Sequence, residues 1–332
     1  MQPPYSPPLL NLPIAHTQSN LLLSPRDLKK EETMNAKPDL PPWSVSLHGG
    51  HSSAYCDHAS GTLSEILQEA SKHYHTFGVT EHAPRLGDHL LYKEEKQMGW
   101  DVARLEANFT TYAAELAALT EAFADRLIVL RGFETEVVPL ATYPEIMLGY
   151  RKEFAFDYIV GSVHHVNEIL IDGPQDEFQR ALDVAGGFEA LAIAYYEHVS
   201  KMVDDLKPEV VGHLDLIRKN APAQFQLDTP AIQRAASKAL EAIRDHQAIL
   251  DLNTAGYRKG LGAPYPAPRL LQAAHQMGIP FCFGDDSHSP TDVGVDIESA
   301  RHYLIGNGVP TITTLTREDG AIVRKVIPLG SE

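Results

Sequence analysis

The sequence predicts an α/β fold on a parallel sheet, closed into a barrel. Three observations carry this. From Trp43 onward short apolar runs alternate with amphipathic stretches. Most strand candidates are single, mainly apolar runs, the pattern of strands covered on both faces. Seven or eight such units in one stretch of chain favour a closed barrel over an open sheet. In order, the strand candidates are Val45–Leu47, Phe77–Thr80, Leu127–Phe133, Tyr158–Val163, Val210–Leu214, Ala248–Leu252, Phe281–Gly284 and Thr311–Leu315. Helical spacing is clearest over Leu63–His75, Asp101–Arg126, Phe188–Leu206, Pro230–His246 and Pro268–Met277. Thr62 with Glu65 has capping-box spacing, and Asp228-Thr229 before Pro230 sets a cap against a proline in the first turn. Neither a Rossmann nor a P-loop glycine pattern is present.

Residues 1–42 differ from the rest. They hold nine of the 23 prolines and no sustained apolar period, so this arm is expected to be disordered, with a single catalytic barrel domain over 43–332. The arm lacks the basic and apolar regions of a secretory signal, and Met34 is an alternative start. Hydrophobic residues at 43% and charged residues at 22% describe a globular chain with a core. No run approaches the ~18 apolar residues of a membrane span. The formal charge of -16 repels a phosphate backbone, which argues against nucleic acid as a partner. Two cysteines cannot make a disulfide framework, and a cytoplasmic location is expected.

The 16 histidines are organised. Val45–Leu47 runs into His48-Gly49-Gly50-His51, with His58 soon after; Phe77–Thr80 runs into Glu81-His82; Leu127–Phe133 delivers Glu134 and Glu136. Tyr158–Val163 ends in His164-His165, the Val210 run in His213 and Asp215, and Phe281–Gly284 in Asp285, Asp286 and His288. In a parallel barrel all strand C-termini open on one face, so these side chains converge. Imidazoles with carboxylates on one concave face form a divalent-metal site, and the donors outnumber the needs of one tetrahedral ion. His73, His75, His198, His246, His275 and His302 fall in or beside helical patterns and are read as structural. The residues themselves thus argue for a multinuclear metallohydrolase.

In six segments the chain resembles the PHP (polymerase and histidinol phosphatase) family, histidinol-phosphatase branch: LHGGHSSAYCDHA, GVTEHAPR, GFETEV, DYIVGSVHHV, VVGHLDLIRKN and GDDSHSPTDVG, in family order over about residues 44 to 295. The resemblance implies a distorted seven-stranded β/α barrel with three metal ions (zinc, iron or manganese) at its mouth. It implies a first metal on His48, His51, Glu134 and Asp286. Glu134 then bridges to a second on His164 and His213, and His58, His82 and His288 hold a third. The family opens with His-x-His, whereas here two glycines separate His48 from His51; a glycine bulge is one way to restore convergence.

Such a centre suits phosphate-monoester hydrolysis, and the branch implies L-histidinol phosphate as the small-molecule substrate. Another small phosphate monoester and a catalytically silent metal module are the competing readings. Arg85 and Arg218 are candidates for the phosphate, because guanidinium binds it bidentately. Asp215 or His165 is the candidate acid for the leaving group. Glu81, Glu136 and Asp285 are read as residues that orient ligating imidazoles. Cys282 reads as a small buried hydrophobe and Cys56 as a non-ligand, since the histidines already suffice. Deleting residues 1–33 is expected to leave solubility and kcat intact, because a proline-rich arm without apolar period has little to pack with; an insoluble or inactive truncation would refute this.

Overall fold

The computed structural model describes residues 39–221, 225 and 227–330. The expected disorder of the arm therefore lies, for residues 1–38, outside the described residues. Residues 39–42, expected within the arm, are placed against the barrel: His75 Nε2 donates to the Leu40 carbonyl at 2.7 Å and Ser44 N to that of Pro41 at 2.9 Å.

In chain order the strands are β1 (Val45–Ser46), β2 (Thr76–Val79), β3 (Ile128–Glu134), β4 (Tyr158–Gly161), a small ribbon of β5 (His165–Val166) and β6 (Ile169–Leu170), then β7 (Val210–Val211), β8 (Ile249–Asn253), β9 (Phe281–Gly284), β10 (Thr311–Glu318) and β11 (Ala321–Pro328). Seven of them form one parallel sheet in the order β1-β2-β3-β4-β7-β8-β9. It closes on itself where Leu47 N donates to the Phe283 carbonyl at 2.8 Å and Asp286 N to that of His48 at 2.9 Å. The result is the seven-stranded distorted β/α barrel.

The helices are α1 (Leu63–His73), α2 (Lys93–Gln97), α3 (Val102–Ala122), α4 (Tyr143–Glu153), α5 (Gln175–Ala185), α6 (Phe188–Leu206), α7 (Pro230–Asp245), α8 (Ala255–Arg258), α9 (Pro268–Gln276) and α10 (Ile297–Gly306). The predicted start signals form: Thr62 Oγ1 accepts from Glu65 N at 3.2 Å while Thr62 N donates back to Glu65 at 2.8 Å, and Thr229 caps α7. Helix α1 ends two residues before His75 because Tyr74 is already extended, turning the chain into β2. Most of the buried apolar area lies between the sheet and its helices, where each buried Leu, Ile or Phe contributes roughly 1.5–3 kcal/mol.

Inside the barrel lies a thin apolar layer of Leu47, Leu130, Tyr158, Val160, Val210, Ile249 and Cys282, joined by Leu315 of β10. Here the sequence reading needs correction: Thr311–Leu315 is a strand, but not a barrel strand. It pairs antiparallel with β11 around the two-residue loop Asp319-Gly320, both at positive φ, the turn that suits the twist of a hairpin. Tyr158 spans the interior and its hydroxyl donates to the Leu47 carbonyl at 2.7 Å. It fits only because its neighbours are glycines: a Cβ on Gly78 would stand 1.9 Å from the hydroxyl oxygen, and one on Gly132 2.6 Å from the ring.

Gly78→Ala is therefore expected to destabilise the protein by about 2 kcal/mol in urea unfolding. Tyr158→Phe, which loses one hydrogen bond, should cost about 1 kcal/mol. Combined, they should cost less than their sum, because the phenylalanine removes the atom that the new methyl strikes; strict additivity would show that this contact is not the cause.

Candidate metal centre

Glu134 ends β3, with two strands of the barrel on either side before the ring continues to β8 and β9. Its carboxylate, 1% exposed, is reached by imidazoles from all four flanking strands. His48 Nε2 is 3.2 Å from Oε1, His164 Nε2 3.4 Å and His213 Nε2 2.9 Å, while His82 Nδ1 is 3.1 Å from Oε2. His51 Nε2 stands 3.8 Å from Oε2 and 3.7 Å from Asp286 Oδ1, so Asp286 joins from β9. His48 and His51 converge despite their spacing because Gly49 and Gly50 take φ of +153° and +85°. Gly49 also has no room for a side chain, since a Cβ would lie 2.3 Å from Asp285 Oδ1. His58 and His288 stack at 4.8 Å and His51 and His288 at 4.2 Å, which completes the cluster.

The polar surroundings hold these rings in place. Glu81 accepts from His51 Nδ1 and from Ser52 N, both at 3.1 Å. Asp251 on β8 is 2.8 Å from His48 Nδ1, and Glu136 is 3.3 Å from both His164 Nδ1 and His165 Nδ1. Asp285 is engaged otherwise, by the Tyr74 hydroxyl at 2.8 Å and by Gly294 N and Ser287 N. Burial opposes a charge on Glu134, yet His48 and His164 hold its carboxyl well below the usual carboxylate range. Burial likewise opposes ionisation of Asp286, which Lys259 and His48 outweigh. Burial and the facing His51 push His288 well below the usual imidazole value.

Do these residues fit metal ions? The groups His48–Glu134–His213, His48–His51–Asp286, His51–His82–Glu134, and Cys56–His58–His82–His288 each place their donor atoms within 4.8 Å of one another. His48 Nε2, His51 Nε2 and both nitrogens of His82 are buried without a hydrogen-bond partner among the described residues. Hard oxygens and neutral imidazole nitrogens, oriented by carboxylates behind them, form a donor set for adjacent divalent cations. They fit.

A cavity of about 370 Å³ opens onto this cluster, lined by His58, His82, Glu134, His164, His213, Asp286 and His288. Four residues expected at the substrate do not line it. Arg85 is buried, stacked 3.6 Å over Tyr92, paired with Glu95 and 3.5 Å from Glu136. Arg218 pairs with Asp215 at 3.1 Å and donates to the carbonyls of Ala263 and Pro264. Burial raises the Asp215 carboxyl against the pull of Arg218. His165 turns away from His164 and faces Tyr92 across Glu136. The cations that do line the cavity are Lys219, Arg258 and Lys259. Lys219 follows Arg218 in the matched segment, but Arg258 and Lys259 fall after β8, where the sequence offered no motif.

These features define a class, a parallel barrel whose mouth binds divalent metal. The PHP domain model matches residues 48–255, and the chain belongs to that family. It is 32% identical over 290 residues to a Schizosaccharomyces pombe protein named "Probable histidinol-phosphatase", covering 85% of this chain and 94% of that one. The Saccharomyces cerevisiae histidinol-phosphatase is 27% identical over 293 residues, 78% of this chain and 87% of its own. The crystal structure of the Lactococcus lactis histidinol phosphate phosphatase, complexed with zinc, L-histidinol and phosphate, shares the fold: TM-score 0.64 at 20% identity, covering 85% of this chain and 99% of that one.

His82→Ala, His213→Ala and His288→Ala are each expected to lower metal content and cut the rate ~100-fold or more, whereas His246→Ala and His275→Ala, on helix α7's end and α9, should cost little. Glu134→Gln keeps the size but removes the charge, so it should lose bound metal while the far-UV spectrum persists. Metal analysis beside steady-state kinetics checks both; equal tolerance at all these positions would detach the cluster from the chemistry.

Proposed function

We propose that this chain is a histidinol-phosphatase, hydrolysing L-histidinol phosphate to L-histidinol and phosphate in histidine biosynthesis. The observation that carries the chemistry is the buried Glu134 carboxylate ringed by five imidazoles at the mouth of a substrate-sized cavity. The substrate is supported by relatives of that name, matched over nearly their whole length. We read the centre as holding three ions of zinc, iron or manganese, and, with Cys56 and Cys282 both unpaired, place the protein in the cytoplasm.

Bound divalent cations supply an activated water and a clamp on the phosphoryl oxygens. His48, His51, His58, His82, Glu134, His164, His213, Asp286 and His288 would hold them. The protein's own part is positioning and charge. Lys219, Arg258 and Lys259 at the rim offset a chain of net charge -16 and draw the phosphate dianion inward. Lys219 is held by Asp172 at 3.1 Å, and Arg258 by the carbonyls of Asp285 and Asp286 at 2.6 and 2.9 Å. Arg85 acts one step back: through Glu136 it fixes His164, and through Glu95 and Tyr92 it ties the 85–95 loop to the mouth.

Phosphate release from L-histidinol phosphate, phosphoserine, a hexose phosphate and a nucleoside monophosphate tests the assignment. The expected kcat/KM favours L-histidinol phosphate by about 100-fold, and chelation should abolish turnover. A faster rate on another ester would move the protein to a different phosphomonoester within the family.

A further inference from the structure

We propose that Asn253 is a positioning residue that ties the metal centre to the cations that receive the phosphate. One side of its amide holds two carboxylates of the centre. The other side anchors the short helix α8, which carries Arg258 and leads into Lys259. This rests on the metal-centre reading above and gives a role to a residue that no strand-end motif marks.

The connections close a ring. Asn253 ends β8 and is fully buried. Its Nδ2 donates to Asp251 Oδ2 at 3.0 Å and to Asp286 Oδ2 at 3.3 Å, and its Oδ1 accepts from Ala255 N at 2.9 Å. Its neighbours permit only this orientation of the amide, because a carboxylate accepts and a backbone N–H donates. Asp251 engages His48 Nδ1 at 2.8 Å through the same Oδ2, while its Oδ1 is buried without a hydrogen-bond partner among the described residues. With Oδ2 of Asp286 on the amide, Oδ1 is the oxygen nearest His51 Nε2, at 3.7 Å. Ala255 opens α8, and at the far end of that turn Arg258 donates to the carbonyls of Asp285 and Asp286. The path from the Asp286 carboxylate through Asn253, α8 and Arg258 thus returns to the Asp286 backbone.

The two ends of the amide do separate work. The two N–H groups stand between Asp251 and Asp286 and offset the repulsion of like charges. They also fix which carboxylate oxygen is left for a cation and which one orients His48. The carbonyl oxygen holds the first N–H of α8, and with it the placement of Arg258 and Lys259 on the cavity wall. Asn253→Asp has the same size and keeps an acceptor for Ala255, but sets a third carboxylate oxygen against the other two. Asn253→Ala removes both ends.

The test uses full-length protein, stripped with chelator and reloaded with zinc. Zinc affinity is read by competition with a chelating dye, and affinity for inorganic phosphate by calorimetry at saturating zinc. Zinc should bind roughly tenfold or more weakly in both variants. Phosphate should weaken in Asn253→Ala and stay close to wild type in Asn253→Asp. A residue needed only for stability would lower the melting temperature and move neither affinity. Wild-type zinc affinity in either folded variant overturns the proposal, as does a phosphate loss as large in Asn253→Asp as in Asn253→Ala. Should neither variant fold, hydrogen exchange of residues 254–259 in wild type decides: it is expected to slow on zinc loading, and unchanged exchange overturns the proposal. Turnover of L-histidinol phosphate with unaltered zinc affinity in the variants removes the role of Asn253 and leaves the function. The expected affinities in a protein inactive on every ester do the reverse, and a chain that binds neither zinc nor manganese overturns both.

Discussion

The rest of the structure depends on one carboxylate kept charged at the floor of a cavity, with 1% of its side chain exposed. Taking a carboxylate out of water costs several kcal/mol unless positive charge or hydrogen bonds replace the lost hydration. At Glu134 that replacement comes from the C-terminal ends of two strands on each side, β1 and β2 on one flank and β4 and β7 on the other. Imidazoles meet part of the demand, but each neutral ring donates only one N–H, and rings stacked at 4.2 Å, as His51 and His288 are, repel one another when both are protonated. Divalent cations held among these donors would add positive charge at the mouth without protonating the rings.

Barrel closure is the second half of the same constraint. Asp286 and His288 follow the last barrel strand, β9, and His48 and His51 the first, some 240 residues apart. They meet because Leu47 and His48 pair with Phe283 and Asp286. The glycine pair then serves both sides of the seam: positive φ turns His51 inward, and the absent side chain admits Asp285 and Ser287 against the backbone. A residue with a Cβ at Gly49 would separate the seam and the cluster together.

What the sequence makes legible follows from range. Strand ends are local, so an apolar run stopping at His, Asp or Glu could be read directly and placed on one face, while the narrower set of nine donors rests on the family resemblance. Caps are local too, hence Thr62, Thr229 and the matching helix starts. What no motif marks depends on tertiary contacts. Asp251, inside a strand candidate, stands beside His48, 203 residues away. Arg85 is engaged by Glu95, Glu136 and Tyr92, and Arg218 by Asp215 and the 263–264 carbonyls. Helix α5 is a local signal too, since Phe178, Ala181 and Leu182 recur at helical spacing, while α2 and α8 are one turn long and too short to show a period. The β10–β11 hairpin is different, since Asp319-Gly320 is a local signal and was there to be used.

Core and site are joined through Tyr158. Around it the barrel holds Leu47, Leu130, Val160, Val210, Ile249 and Cys282 with Leu315 of β10, and the metal-capable side chains stand at the strand ends beyond this layer. Its hydroxyl takes the carbonyl of Leu47, the residue before the first ligand, and its ring lies in the gap left by Gly78 and Gly132 on the two strands that carry His82 and Glu134. One side chain therefore sets the height of three neighbouring strands relative to one another. Since donors a cation shares must agree to within a few tenths of an ångström, register between β1, β2 and β3 is a condition of metal binding. Packing in the lower layer is in this sense part of the site: changes there reach the chemistry through strand register, without touching a ligand.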